Sequence, residues 1–134
     1  MKVIVDTSVW SLALRRDKQE SNALVDEFRR MIKDHRVQII GPIRQEILSG
    51  IRSESHFKKL QKHLESFPDL PAITEDYVTA AKYFNLCRSK GIQGSNTDFL
   101  ICAVANRNNF SIFTTDKDFE QISMHIKLVL HKAE

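Results

Sequence analysis

The sequence predicts a single α/β domain built on a parallel sheet of about four to five strands flanked by helices. Short β-branched runs alternate along the chain with longer stretches whose apolar residues recur at helical spacing. The length of 134 residues suits one domain of ordinary size, and a hydrophobic fraction of 42% is enough for a core. Because no repeat or linker divides the chain, we expect residues 1–134 to form one domain.

The first half of the chain predicts two strands and four helices. β-Branched runs at 2–5 and 37–40 predict the strands. The first run ends at the capping motif Asp6-Thr7-Ser8, and the second ends at Gly41-Pro42, where proline suits the first turn of a helix. Apolar residues that share one helical face predict the helices, at 9–14, 20–35, 43–49 and 53–67.

The second half predicts three helices and two strands. A long amphipathic stripe predicts a helix at 74–90, which Gly91 and Gly94 end. The apolar block 99–105 is too continuous for periodicity to decide, but its alanines and its length favour a buried helix over 97–108. The remaining elements are predicted in the order strand 111–114, helix 116–122 and strand 126–130.

Several classes of protein are excluded by composition. No apolar run is long enough to span a membrane, and the charge at Asp6 comes too early for a signal peptide. Cys87 and Cys102 lie in apolar helical patterns without a CxxC or CxxH motif, which favours reduced, buried thiols over a zinc site. We therefore expect a cytoplasmic protein with no membrane partner.

The net charge is a weaker indicator. Twenty basic and 17 acidic residues give a net charge of +3. If four acids are gathered in one site, the remaining 13 leave a balance of +7, enough to favour a polyanion. An ordinary solvated basic surface explains the same charge equally well.

Acidic residues stand where predicted strands end. Asp6 follows the strand predicted at 2–5. Asp116 follows the strand predicted at 111–114, and Asp118 lies two residues further on. Ligands of open α/β sheets bind beyond the carboxyl ends of the strands. Asp98 lies on the apolar stripe of its helix, and Glu46 lies at the edge of a packed face. Since a buried carboxylate must be neutralised or paired, this set of acids predicts a shared divalent cation.

Each acid also has an ordinary structural explanation. Asp6 suits the start of the first helix as a cap, and Asp116 suits the start of the last one. Glu46 is equally compatible with an exposed helix surface. The capping-box pattern is matched twice, by Ser95-x-x-Asp98 and by Thr115-x-x-Asp118.

Oxygen ligands of this kind suit Mg²⁺ or Mn²⁺. The chemistry that needs them is phosphoryl transfer or phosphodiester hydrolysis, in which the metal activates water and neutralises charge on the phosphate. A second ion would steady the leaving oxygen. The chain contains neither a G-x-S-x-G nor an HExxH motif, so a serine hydrolase and a zinc protease are not indicated.

Four segments carry a resemblance that covers essentially the whole chain: Val3 to Ser8, Glu46 to Gly50, Asp98 to Ala105 and Thr114 to Phe119. With these segments in this order and spacing, the chain is similar to the PIN-domain ribonucleases. In size and layout it resembles the VapC-type toxins of bacterial and archaeal toxin–antitoxin pairs. The resemblance implies a single PIN-like domain. Cys102 stands where alanine is more usual in the family.

The resemblance also implies an activity, a cofactor and partners. It implies an endoribonuclease that cleaves RNA with a water activated by Mg²⁺ or Mn²⁺, a homodimer, and a cognate antitoxin protein. The catalytic acids would also hold the metal, Glu46 partly through water; they are Asp6, Glu46, Asp98 and Asp116. Asp118 would be a ligand of a second metal, and Ser8 and Thr114 would orient carboxylates or phosphate.

Basic residues near these acids in sequence are candidates for contacting RNA phosphates. They are Arg15, Arg16, Arg44, Arg52, Lys58 and Lys59. Charge that serves only solubility is the alternative. Trp10, one turn past the first acid, suits the core, a protein interface or a platform for base stacking.

Three other functions compete with a toxin. A PIN-domain nuclease of RNA maturation or decay would carry the same acids. A non-catalytic RNA- or protein-binding PIN module is disfavoured because all four acidic positions are filled. A small phosphatase or a phospho-accepting receiver domain is disfavoured because Asp6 has no acidic neighbour before Asp17.

Overall fold

The computed structural model describes residues 1–15 and 22–132. Its elements are, in chain order, β1 (Val3–Val5), α1 (Thr7–Ala13), α2 (Ala23–Lys33), β2 (Val37–Gln38), α3 (Gly41–Leu48), α4 (Glu54–Leu64), α5 (Thr74–Ser89), α6 (Asn96–Asn108), β3 (Ser111–Phe113) and α7 (Asp118–Ile122). Arg16, a predicted RNA contact, lies outside the described residues. Within the described ranges, no helix combines the length and apolar character needed to cross a membrane.

The sheet is parallel throughout, in the order β2-β1-β3. β1 is the central strand, and its three residues are fully buried because helices cover both faces of the sheet. The predicted α/β class, with a parallel sheet flanked by helices, is confirmed. The sheet is smaller than predicted, with three strands in the part of the chain that the structure describes.

The predicted strand at 126–130 is reduced to a single parallel bridge between Leu130 and Ile112. The backbone amides of the preceding residues turn back onto α7 instead, and that of Ile126 donates to the carbonyl of Ile122 at 2.9 Å. A similar single bridge joins Asp69 to Ile39 at the other edge. Both edges of the sheet are therefore extended by one residue rather than by a full strand.

The core is built from β1 and from helices that press on it. The block Phe99–Ala105 of α6 is buried over its whole length, which confirms the predicted buried helix. Trp10 is 2% exposed and packs edge-on against Phe28 and Phe67, with ring centroids 4.8 and 5.1 Å away. Trp10 is thus a core residue, and the stacking-platform interpretation is wrong. Both cysteines are buried free thiols, as predicted.

An ion pair between the buried Asp76 and the exposed Arg107 joins the start of α5 to the end of α6. The guanidinium of Arg107 donates to both oxygens of Asp76 at 2.8 and 2.9 Å, and the amide of Ile73 donates to Asp76 Oδ2 at 2.9 Å. Asp76 is only 2% exposed. The hydrogen bonds from Arg107 hold the pKa of the Asp76 carboxyl below its usual range, against the opposing effect of burial.

Candidate active site at the carboxyl ends of the strands

The candidate site lies where β1 and β3 end. The chain leaves β1 toward β2 on one side of the sheet and later returns to β3 on the other, so the two strand ends border a crevice. The amide of Asp6 donates to the carbonyl of Phe113 at 2.9 Å, which fixes the first acid beside the residues that follow β3. The parallel sheet thereby brings together residues more than 100 positions apart in sequence.

Asp6 is buried without a cationic partner. It is 6% exposed, and its Oδ2 accepts hydrogen bonds from the hydroxyls of Ser8 and Thr114, each at 2.8 Å. Asp6 is the N-cap residue of α1, as its sequence position suggests, but its side chain makes no capping hydrogen bond, so capping does not account for the carboxylate. Among residues 1–15 and 22–132, no lysine, arginine or histidine forms an ion pair with it. Hydroxyls orient this carboxylate but leave its charge uncompensated.

Thr114 links Asp6 to the acids that follow β3. Its hydroxyl also accepts the amide of Asp116 at 3.0 Å, and Asp116 Oδ1 accepts the amide of Asp118 at 2.9 Å. The Asp116 carboxylate therefore takes a first-turn amide of α7. The amide of Asp118 donates to Asp116 rather than to the side chain of Thr115, so the predicted capping box at Thr115-x-x-Asp118 does not form.

Asp98 does form the predicted capping box. Ser95 Oγ accepts the amide of Asp98 at 3.1 Å, and Asp98 Oδ2 accepts the amide of Ser95 at 2.9 Å. Burial raises the pKa of the Asp98 carboxyl above its usual value, and the negative charges of Asp6 and Asp116 raise that pKa further. Asp98 can both cap α6 and belong to the site, because the capping hydrogen bond uses only Oδ2 of its carboxylate.

Asp98, Asp116 and Asp118 form a cluster in which one oxygen from each lies within 4.8 Å of the others. All three are half-buried. Like charges at this spacing repel unless a cation joins them, and an all-oxygen donor set of this size fits Mg²⁺ or Mn²⁺. The residues present therefore fit the divalent metal that the sequence predicts.

Glu46 lies at the edge of this arrangement. It is exposed on α3, and its Oε1 accepts the hydroxyl of Thr7 at 2.5 Å. Thr7 is adjacent to Asp6, so Glu46 is tied to the site through one hydrogen bond. Glu46 does not join the three-acid cluster within the described residues. Thr7 is a site residue that the sequence reasoning missed, although it stands inside the strand-end motif.

In the part of the chain that the structure describes, two clefts border the acids. One, of about 600 Å³, is lined by the end of α5, by the loop that follows it and by two of the acids: Arg88, Gly91, Ile92, Gln93, Gly94, Ser95, Asp98 and Asp118. The other, of about 540 Å³, lies on the Asp116 side and carries Lys117 and Lys132 on its wall. Arg88 was not among the residues predicted to contact RNA, since in sequence it is an ordinary basic residue at the end of a helix.

The predicted RNA contacts differ in their availability. Arg15, Arg52, Lys58 and Lys59 are exposed, and Lys58 pairs with Glu54 at 3.3 Å. Arg44 is engaged in the fold, because its guanidinium donates to Asp69 at 3.0 Å and to the carbonyls of Leu64 and Phe67 at the end of α4. Arg44 thus ties α3 to the end of α4.

Known proteins resemble this chain over most of its length. The PIN domain family model matches residues 3–124. Two curated proteins are 29% identical over 125 residues, covering 90% of this chain and 91% of theirs: Ribonuclease VapC11 of Mycobacterium tuberculosis and VapC ribonuclease Mb1587 of Mycobacterium bovis.

Solved structures share the fold at lower identity. The structure of FitAcB from Neisseria gonorrhoeae matches with a TM-score of 0.76 and 18% identity, covering 98% of this chain and 97% of that one. VapBC2 from Rickettsia felis, bound to a DNA fragment from its promoter, matches with a TM-score of 0.76 and 17% identity, covering 98% of each chain. These likenesses support the arrangement of strands and helices described above.

Proposed function

The chain belongs to the PIN domain family, and on that basis we propose that it is an endoribonuclease that hydrolyses RNA phosphodiester bonds with the help of Mg²⁺ or Mn²⁺. The observation that carries the proposal is the cluster of Asp98, Asp116 and Asp118, whose oxygens lie within 4.8 Å of one another beside the buried Asp6. The relatives named as ribonucleases support RNA as the substrate.

The residues take distinct roles in this proposal. Asp6, Asp98 and Asp116 would hold the metal, with Asp118 as the ligand of a second ion and Glu46 acting partly through water. When bound, the metal supplies an activated water and neutralises charge that grows on the phosphate. Ser8 and Thr114 orient the Asp6 carboxylate, since each donates a hydrogen bond to the same oxygen. The half-buried cluster keeps part of the bulk water away from the carboxylates and so strengthens their electrostatic effect.

We further propose that the chain is the toxin of a toxin–antitoxin pair, acting in the cytoplasm as a homodimer held in check by a cognate antitoxin. The VapC names of the curated relatives and the VapBC assembly among the structural neighbours support this role. Exposed apolar residues on α5 support a protein partner, since Tyr77 is 57% and Val78 50% exposed. The test is whether a small protein encoded beside this chain binds it and stops RNA cleavage. Cleavage that no such protein inhibits would contradict the toxin role while leaving the nuclease intact.

The nuclease proposal is tested by cleavage of a labelled total-RNA pool in the presence of Mg²⁺, Mn²⁺ or EDTA. We expect discrete fragments that require metal, and a rate reduced by more than about a hundredfold in Asp98→Asn, because the lost charge weakens metal binding. Asparagine retains the carbonyl oxygen that caps Ser95, so the helix start is preserved. Asp34→Asn, an exposed acid at the end of α2, is the matched control. Equal cleavage by wild type and Asp98→Asn would contradict the proposed site.

A further inference from the structure

Among the described residues that line the cleft beside the acid cluster, one is a cation with no assigned role. Two acids of the site, Asp98 and Asp118, line the cleft together with the loop that follows α5. Arg88, at the end of α5, is the basic residue among its described lining residues. The residues predicted from sequence to contact RNA do not line it, as far as the described chain shows.

Arg88 is exposed and has no ion-pair partner among the described residues, although two carboxylates line the same cleft. This contrasts with Arg44 and Arg107, whose guanidinium groups are bonded to carboxylates and backbone carbonyls of the fold. An arginine that lines a cleft and forms no ion pair is available to an anionic ligand.

The guanidinium of Arg88 lies over an aromatic ring that packs toward the site. Its guanidinium carbon lies 4.9 Å from the centre of the Phe84 ring. Phe84 packs edge-on against Phe99 at 5.7 Å, and Phe99 directly follows Asp98. A guanidinium held over an aromatic face loses less conformational freedom when it binds a ligand than a free side chain does.

The loop that lines the cleft packs against α6, the helix that carries Asp98. Gly91 adopts φ +73°, a conformation that favours glycine. At Gly94 a β-carbon would lie 2.9 Å from the Phe99 ring, so the loop backbone lies directly against the residue after Asp98. The loop that lines the cleft is thus in close contact with the start of α6.

We propose that Arg88 binds a backbone phosphate of the RNA strand next to the acid cluster, and so positions the strand for cleavage. The proposal rests on the nuclease function above. A bound divalent cation at the acids and the guanidinium of Arg88 would present positive charge on two sides of the cleft, which suits the spaced negative charges of a nucleic acid backbone. The planar guanidinium matches a phosphate through two parallel hydrogen bonds, a geometry that lysine does not offer.

The test separates RNA binding from RNA cleavage. Affinity for a labelled, unstructured single-stranded RNA is measured by fluorescence anisotropy in the Asp98→Asn background, which suppresses cleavage, over a series of salt concentrations. We expect Arg88→Gln to weaken binding by about tenfold. We also expect the slope of log affinity against log salt concentration to become shallower by about 0.7, the contribution of one phosphate contact in a single strand.

Two further variants distinguish a phosphate contact from a structural effect. Arg88→Lys should keep the salt slope and recover only part of the affinity, because it restores the charge without the two-pronged geometry. Arg29→Gln, an exposed arginine on α2, should leave affinity and slope unchanged. An Arg88→Gln variant with wild-type affinity, or with weaker binding at an unchanged salt slope, would overturn the proposal.

The inference and the nuclease proposal fail in different ways. If the wild type binds RNA in an Arg88-dependent manner but cleaves none, the nuclease proposal fails and the Arg88 contact stands. If metal-dependent cleavage occurs and Arg88→Gln changes neither the affinity nor the salt slope, the Arg88 contact fails and the nuclease stands. If no variant binds the RNA, the Arg88 contact is overturned, and cleavage alone decides the nuclease.

Discussion

Two buried aspartates in this chain are treated in opposite ways by the fold. Asp76 at the start of α5 is 2% exposed and receives two hydrogen bonds from Arg107 as well as a backbone amide. Asp6 at the end of β1 is 6% exposed and receives hydroxyl hydrogen bonds alone on its side chain in the described structure. The first charge is neutralised inside the chain, whereas the second is oriented and left without a cation.

The surroundings of the two residues widen this difference. Asp76 faces a guanidinium, which holds its pKa down. Asp6 adds negative charge to a neighbourhood in which the pKa of Asp98 is already raised by burial. A fold selected only for stability would pair or remove such acids, since an uncompensated buried charge is destabilising. The acids at the strand ends are therefore best explained by a ligand that supplies the positive charge. Asp76 is explained instead by the stability that its ion pair with Arg107 provides.

The largest effect on stability is expected from Asp76→Asn. The substitution keeps the shape and the cap of α5 but removes the charge to which Arg107 donates two hydrogen bonds, so we expect the Tm to fall by about 5 °C. Thermal unfolding monitored by circular dichroism measures this. A change of less than about 2 °C would show that the ion pair contributes little.

The pH dependence of stability follows from the same pair. Because the pKa of Asp76 is lowered in the folded state, the stability it contributes is present above the unfolded value of about 3.9 and is lost as pH falls through the folded pKa. The difference in Tm between wild type and Asp76→Asn should be constant from pH 7 to about 5 and should shrink below about pH 4. A difference that stays constant throughout the acid range would contradict the assignment.

Asp6→Asn should change the Tm in the opposite direction. In EDTA we expect the Tm to rise by about 3 °C, because the substitution removes a negative charge beside Asp98. In Mn²⁺ the order should reverse, since the wild type gains stability from the ion and the variant gains less. If Asp6→Asn lowers the Tm in EDTA as strongly as Asp76→Asn does, the two carboxylates do not differ in the way described.

The smallest effect on stability is expected from Ser8→Ala. Asp6 keeps its hydrogen bond from Thr114, so the Tm should fall by about 2 °C. Affinity for Mn²⁺ should nevertheless fall by about tenfold, because the carboxylate is less well oriented. Ser123→Ala, which removes a hydroxyl bonded to a helix carbonyl, is the control for both measurements. Unchanged Mn²⁺ affinity in Ser8→Ala would contradict the orienting role.

Much of the fold could be predicted because local chemistry and the final structure agree. The strand at Val3–Val5 and the helix over Asn96–Asn108 follow from β-branched and continuous apolar runs that the fold buries. The strand expected at 126–130 does not form because the amide of its first residue, Ile126, completes the turn after α7, a competition that the apolar pattern does not reveal.

The site could be predicted in outline and not in detail. Strand-end position identified Asp6 and Asp116, but which acids would also cap helices depended on side-chain orientation. Asp98 does both, whereas Asp6 makes no side-chain cap. No sequence pattern indicated a role for Arg88, because its place in the cleft depends on Phe84, Phe99 and the loop between α5 and α6.

The most direct measurement is a calorimetric titration of Mn²⁺ into wild type, Asp116→Asn and Asp34→Asn. Asparagine at position 116 retains an oxygen for the Asp118 amide, so the variant removes charge with little change of structure. We predict saturable binding in wild type and Asp34→Asn, and an affinity at least about tenfold weaker in Asp116→Asn. Equal Mn²⁺ binding by all three proteins, or none by the wild type, would contradict a metal centre at the strand ends.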